Sequence, residues 1–423
     1  MMNGLPSFKG KLASIMSILV FVSIFSYSSY VYGDGQLTET EELDSLTVAL
    51  YPYVPDLERF EKAVADEWAT AQPDVTLNFV DWDGYSSDPY DDLDVFVFDA
   101  IFLSHFIEED HLMPLTLDEV DESSDILPFA LDGVTVNDHV YAIPQIVCTN
   151  LLYTRAGDSL LSEVSSVPEL YQEIGPRQSS GIIPNPNEGL LISMSGSTTK
   201  VLMYLDALLD TKGVYNDYDV LPELTHLNRS ALNSLVLLQR MAGPQQSNYW
   251  PDNNDPYIRA KWFEDGYGKA YIGYTEAMSS MGDFANDVNF KTISLSDKTD
   301  IPVFYGDVVG INSAITDKDK QEIAIELANV IAASDTLVDA VSTDENNPYP
   351  QYLLPARESV YDQLEGDYPI YGELKDIATH EDNKLFKMGP SARPWLQEAK
   401  PIIAEKLAEK ASKNKRDYQP AIK

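Results

Sequence analysis

Cysteine is almost missing from this chain. Cys148 stands alone in 423 residues. One cysteine forms no internal disulfide and builds no cysteine-ligated zinc site. Histidine is scarce as well. The five, His105, His111, His139, His226 and His380, show no metal-binding spacing such as HExxH, so neither a metal nor another cofactor is expected. Basic residues are few: 29 Lys and Arg face 68 Asp and Glu, for a formal net charge of −39. That balance repels nucleic acid and anionic membranes. It suits a solvated or salt-adapted surface and also draws in cationic small molecules. No repeat or low-complexity block is present, and no second long apolar run follows the one at the N-terminus.

That first run has the grammar of a signal peptide. Lys9 and Lys11 precede an apolar stretch from Leu12 to Phe25, too short to span a bilayer comfortably. Val31 and Gly33 are small enough for positions −3 and −1 of a cleavage site near Gly33. A secreted or periplasmic protein is expected, with no membrane contact in its mature form. An exported protein rarely carries an idle exposed thiol, so Cys148 is either a small buried hydrophobe or a reactive group.

Residues 34–45 read as an acidic lead-in. The rest is too long for one compact core, which implies two domains. LTVALYPY (46–53) reads as a buried strand. Asp56 caps a helix in which Leu57, Phe60, Val64 and Trp68 share a face, stopped by Pro73. VTLNFVDW (75–82) and DVFVFDAIFL (94–103) read as further strands, and IPQIVCTNLLYT as an extended run. Helices are expected over 197–210, 231–243 and 317–334, and a strand over 269–274. The class is α/β, and ligands in such folds bind at the carboxyl ends of strands.

Cys148 closes an apolar run. Glu276 falls in the first turn after a strand, behind Thr275. An acid there suits the helix dipole and needs no further reason. A carboxylate at a strand-to-helix turn also points into the cleft of an open sheet, where it can accept a thiol proton. Tyrosines outnumber phenylalanines, 25 to 15, and many fall at strand ends. They are ordinary packing, or an aromatic cleft for a flat heterocycle or organic cation. Asp99 and Asp307 are turn residues, or acceptors for a ring amino group. The acidic loop DWDGYSSDPYDDLD (81–94) is no EF-hand, because Gly84 comes too early and no Glu closes it. Asn228-Arg229-Ser230 fits a glycosylation sequon.

VALYPYVPD, DWDGYSSDPYDDLDVFVFDAIFLSHF, PQIVCTNLLYTR, YIGYTEAMSSMGD and FYGDVV resemble secreted bacterial thiaminase I, or thiamine pyridinylase. The resemblance runs from about Leu46 to Trp395. It implies a two-lobed, periplasmic-binding-protein-like fold of type II with a ligand cleft between the lobes. Residues 46–150 plus about 300–340 would form one lobe, and 151–299 plus about 341–423 the other. It implies exchange of the thiazole of thiamine for a small nucleophilic co-substrate such as an amine, pyridine or thiol. Cys148 matches the family's nucleophile and Glu276 its base. Tyr51, Tyr53, Tyr85, Asp99, Tyr257, Tyr274, Tyr305 and Asp307 fall in matching blocks and would bind substrate. A monomer is expected. Two other readings stay open on the sequence: a solute-binding protein that delivers a cation to a transporter, and a cysteine hydrolase with an essential histidine.

Overall fold

The computed structural model describes residues 45–416 except Asn253. The expected leader, its cleavage near Gly33 and the lead-in up to residue 44 lie outside the described residues.

The chain first lays down β1 (Ser45–Ala49), β2 (Thr76–Phe79), β3 (Val95–Asp99) and β4 (Ile143–Cys148). A small ribbon pairs Thr135–Val136 with His139–Val140 on the way. It then crosses over and builds a second sheet from β5 (Leu151–Arg155), β6 (Pro186–Ile192), β7 (Gly268–Gly273) and β8 (Val288–Thr292). β9 (Val303–Ile311) returns to the first sheet, followed by β10 (Leu354–Pro355) and β11 (Lys384–Leu385).

The first sheet runs in the order β10-β4-β9-β3-β1-β2, with β11 beside one end of β9. β1 is parallel to β2 and β3, while β9 runs antiparallel to β3 and β4. The parallel pair β1 and β2 is joined by helix α1 (Leu57–Ala71), a connection that parallel strands require. Asp56 starts α1 by accepting a bond from the Arg59 N–H at 3.2 Å, as its sequence implies. Phe60, Val64 and Trp68 bury their shared face in the core. The second sheet runs β8-β5-β7-β6; α3 (Arg229–Ala242) packs against it, and α2 (Ser197–Lys212) packs on α3. α4 (Lys318–Ile331) covers the first sheet, capped by Asp317.

Several expected elements are shorter or divided. The strand expected over 46–53 stops at Ala49, and Pro52, which has no N–H to give, stands in the loop beyond. The strand expected over 94–103 stops at Asp99, whose side chain accepts from the Ile101 N–H at 3.0 Å and opens a helical turn. IPQIVCTNLLYT is two strands in two different sheets, hinged at Thr149-Asn150. Asn228 uses its side-chain oxygen to cap α3, accepting from the N–H groups of Ser230 and Ala231 at 2.8 and 3.1 Å.

The expected division near residue 341 is corrected by the strand pairing. β10 pairs with β4, and β11 with β9, in the first sheet. Only the last helix, α5 (Ala392–Arg416), packs on α2 and α3. Pairing of backbone groups decides which sheet a short strand joins, and two-residue strands carry no periodicity that reveals it. No helix of the described residues is long and apolar enough to cross a membrane.

Asp210 near the end of α2 ties the crossover from β8 to β9. It accepts from the N–H groups of Leu295 and Ile301 at 2.6 and 2.8 Å and from Ser294 Oγ at 3.0 Å. Replacing it with alanine leaves the N–H groups of Leu295 and Ile301 unpaired, while Ser294 Oγ keeps the carbonyls of Ser296 and Thr299. Asp210→Ala is expected to cost about 3 kcal/mol of stability, read from denaturant unfolding; an unchanged midpoint would show that the crossover does not depend on it.

Candidate active site

Strand register assembles half of the site. Asp307 on β9 stands opposite Asp99 on β3 and opposite Ile146 on β4. Tyr305, two residues back along β9, stands opposite Cys148. Side chains alternate along a strand and pair across it, so these five share one face of the sheet.

The other half comes from the second sheet. β5 begins just after Cys148, and its first residue, Leu151, pairs with Gly273 at the end of β7. The chain leaving β7 therefore turns beside Cys148, carrying Tyr274 and Glu276. Tyr153 fixes this turn by donating its hydroxyl to the Tyr274 carbonyl at 3.1 Å. Gly273 permits it, since a Cβ there would lie 2.0 Å from the Tyr271 hydroxyl. The turn is a 3-10 helix from Thr275 to Ser280 that starts on Tyr274, so Thr275 is its first residue and not its cap.

These groups surround a cavity of about 380 Å³. Its walls hold Tyr51, Tyr53, Tyr85, Asp99, Cys148, Tyr274, Glu276, Tyr305 and Asp307. Tyr257 does not line it; this tyrosine sits behind, close enough for Glu276 and Cys148 to act on its phenol electrostatically. Ile146, Thr198, Thr199, Leu202 and Leu353 also line the cavity and were not anticipated. Ile146 was legible, because it lies two residues from Cys148 on the same strand face. Thr198 and Thr199 open α2, where a hydroxyl pair at a helix start was the only signal. Leu353 had none.

Hydroxyls and carboxyls are linked along one wall. Tyr85 donates its hydroxyl to Asp99, and the Tyr51 and Tyr85 hydroxyls lie 3.5 Å apart. Tyr53 meets Tyr51 and Tyr85 edge-on, with ring centroids at 5.4 and 5.9 Å. Tyr53 is 57% exposed and stands at the mouth. Tyr274 and Tyr305 meet edge to face at 6.3 Å.

The electrostatics are those of a buried, acid-rich space. Burial pushes Glu276 up to about 7. One of its carboxyl oxygens, Oε2, is buried without a hydrogen-bond partner. Burial also lifts Asp99 to about 6, against the opposing bonds from Tyr85 and the Ile101 N–H. Asp307 is raised by burial and then by the charges of Asp99 and Glu276. Burial raises the Cys148 thiol well above its usual range, helped by Glu276, Asp307 and Asp99. At rest Cys148 is a thiol, and a neutral thiol is a poor nucleophile and a poor target for oxidation. A carboxylate that titrates near neutral pH has the affinity a general base needs. No cluster of His, Cys, Asp and Glu among the described residues is arranged to hold a metal ion.

Known proteins share this framework. The Thiaminase-1 domain family matches residues 149–296. Thiaminase-1 of Paenibacillus thiaminolyticus is 50% identical over 363 residues, covering 86% of this chain and 88% of the relative. Thiaminase I of Clostridium botulinum, solved in complex with thiamin, is 59% identical, with a TM-score of 0.85 over 86% of this chain and 100% of that one. The maltotriose-binding protein of Thermus thermophilus, at 16% identity, shares the fold alone, with a TM-score of 0.55 over 86% of this chain and 98% of its own. The expected two-lobed, periplasmic-binding-protein-like fold is thereby borne out.

The raised thiol is open to direct measurement. Alkylation of Cys148 by iodoacetamide, followed by mass spectrometry against pH, is expected to have its midpoint above that of free cysteine. Removing the neighbouring negative charge favours the thiolate, so Glu276→Gln is expected to move the midpoint down. A midpoint at or below neutral pH in the wild type would contradict a resting thiol.

Proposed function

As the chain belongs to the thiaminase I family and is a thiamine-degrading transferase, we propose that Cys148 and Glu276 carry out the exchange in the cavity between the two sheets. The observation that supports this most is the shared cavity. It places the chain's one thiol with a buried carboxyl whose Oε2 has no protein partner and whose proton affinity is matched to neutral pH.

Thiamine brings a fixed thiazolium charge into a cavity lined by three carboxyls. The cation offsets their mutual repulsion and favours the ionised forms of the acids and of the thiol. The edges and faces of Tyr51, Tyr53, Tyr274 and Tyr305 suit a flat pyrimidine and a cationic ring. The negative charge of the whole chain favours capture of a cation.

Glu276 takes the Cys148 proton. The thiolate forms a bond to C6 of the aminopyrimidine and breaks its aromaticity. Electrons of the addition product then push out the thiazole, whose nitrogen keeps the bonding pair and becomes neutral. An amine, pyridine or thiol adds to the exposed methylene carbon, the ring regains its aromaticity and Cys148 leaves. The thiol recovers its proton from Glu276 or from the incoming nucleophile. Asp99 and Asp307, adjacent on paired strands, are placed to hold the ring's amino and N–H groups. The signal-peptide grammar of the first 33 residues favours export, with the chain working as a monomer on thiamine and a small co-substrate.

Thiamine incubated with excess pyridine should yield free thiazole and the pyridine-exchanged product by liquid chromatography and mass spectrometry. Cys148→Ser is expected to abolish both. Glu276→Gln is expected to bind thiamine and lose about 10²–10⁴-fold in kcat. Full turnover by either variant would remove that residue from its role.

The pH profile gives a separate test. Only the ionised carboxylate accepts a proton, so kcat/KM is expected to rise through about pH 7 as Glu276 deprotonates. Asp99 and Asp307 titrate in the same cavity, so the limb belongs to the coupled set. A rising limb of unchanged midpoint in Glu276→Gln would assign it to another group.

A further inference from the structure

The mechanism leaves Arg393 unused. It stands at the start of α5, just past the crossover from β11 to that helix. Its guanidinium reaches away from α5 to the 84–88 loop, between β2 and β3 of the first sheet. Nη1 donates to the Tyr85 carbonyl at 3.0 Å. Nη2 donates to the carbonyls of Gly84 and Ser87 at 2.7 and 3.3 Å and pairs with the Asp88 carboxylate at 3.0 Å. The cation also lies over the Phe102 ring, 5.0 Å from its centroid.

These contacts close a ring. The same Asp88 oxygen, Oδ1, also meets His105 Nε2 at 3.0 Å, and His105 Nδ1 reaches the Pro390 carbonyl at 3.2 Å, back on the crossover. The crossover is itself braced from the second-lobe side. The Gly389 N–H donates to the Tyr218 carbonyl at 3.0 Å, and Trp395 Nε1 donates to the Pro222 carbonyl at 2.9 Å.

What the ring encloses is a site residue. Tyr85 lies in a loop with no helix or strand of its own. Its N–H is held by Asp83 at 2.7 Å and its carbonyl by Arg393. Its ring stands edge-on to Phe102, the ring that Arg393 also covers, at 5.2 Å. Its hydroxyl bonds Asp99 in the cavity. A planar fork that serves three carbonyls and a carboxylate at once is within reach of arginine and not of lysine. Arg393 Nε is buried without a partner, a cost accepted where the fork sits.

We infer that Arg393 is a positioning residue for thiamine turnover: it ties the Tyr85 loop of one lobe to the crossover into the other, and so sets Tyr85 against Asp99. The inference rests on the functional reading above. It makes the geometry of the cavity wall depend on a residue outside the cavity.

The test uses the full chain in the thiamine–pyridine exchange assay. Arg393→Ala is expected to lower kcat/KM about tenfold, and Arg393→Lys to recover only part of that loss. Asp88→Asn should act in the same direction with a smaller effect. In a Tyr85→Phe background, Arg393→Ala should cost less than about twofold, because its effect passes through a hydroxyl no longer there. An Arg393→Ala variant as active as wild type overturns the inference. So does an undiminished tenfold loss in the Tyr85→Phe background, which would mark a general effect on folding. Should Arg393→Ala not fold, Asp88→Asn decides by the same comparison. A wild type that releases no thiazole would sink the functional reading and this inference together, whereas an active wild type with an indifferent Arg393 sinks the inference alone.

Discussion

The pairing of β9 between β3 and β4 is the constraint on which the site depends. β9 comes from late in the chain and runs against both neighbours. Its register sets Asp307 opposite Asp99 and Tyr305 opposite Cys148. Every one of these residues is buried or lines the cavity. A slip of one residue would turn Tyr305 and Asp307 to the opposite face and break the site while leaving the backbone bonds formed. All nine residues of β9 are buried, so either face would meet packed neighbours after such a slip.

The second constraint is electrostatic. Three carboxyls and a thiol share one buried space. In such a place the charged forms are disfavoured, and each group is raised by burial before any neighbour acts. The cavity is therefore set for a cation and poorly suited to an anion. Burial of this kind holds a thiol in its neutral form, and a neutral thiol is a poor nucleophile and a poor target for oxidation.

The two lobes are joined at three places, and each of them leads to a residue of the cavity wall. Thr149-Asn150 links Cys148 directly to β5, so only two residues separate the thiol from the second sheet. The β8–β9 crossover is held by Asp210 of α2, the helix whose first turn supplies Thr198 and Thr199 to the cavity wall. The third carries Arg393 to the loop of Tyr85. Function thus sits where few backbone segments must hold two packed bodies in one geometry.

Much of this was legible in one dimension. The α/β class followed from apolar runs alternating with helical stripes, and Asp56 and Asp317 marked helix starts by a local bond that needs no distant partner. Cys148 and Glu276 were found by rarity, by position at strand ends and by resemblance. What stayed hidden was set by contacts across long sequence distances. The sequence could not say that Tyr257 stands behind the wall, that Leu353 lines it, or that β10 and β11 join the first sheet. Nor could it show Arg393 beside Tyr85, 308 positions away. Local bonds and periodicities are written in neighbouring residues, so the chain by itself determined its class, most of its helix starts and its candidate groups. Which groups face each other, and how far burial shifts their protons, depends on register and packing, and only the tertiary structure decided that.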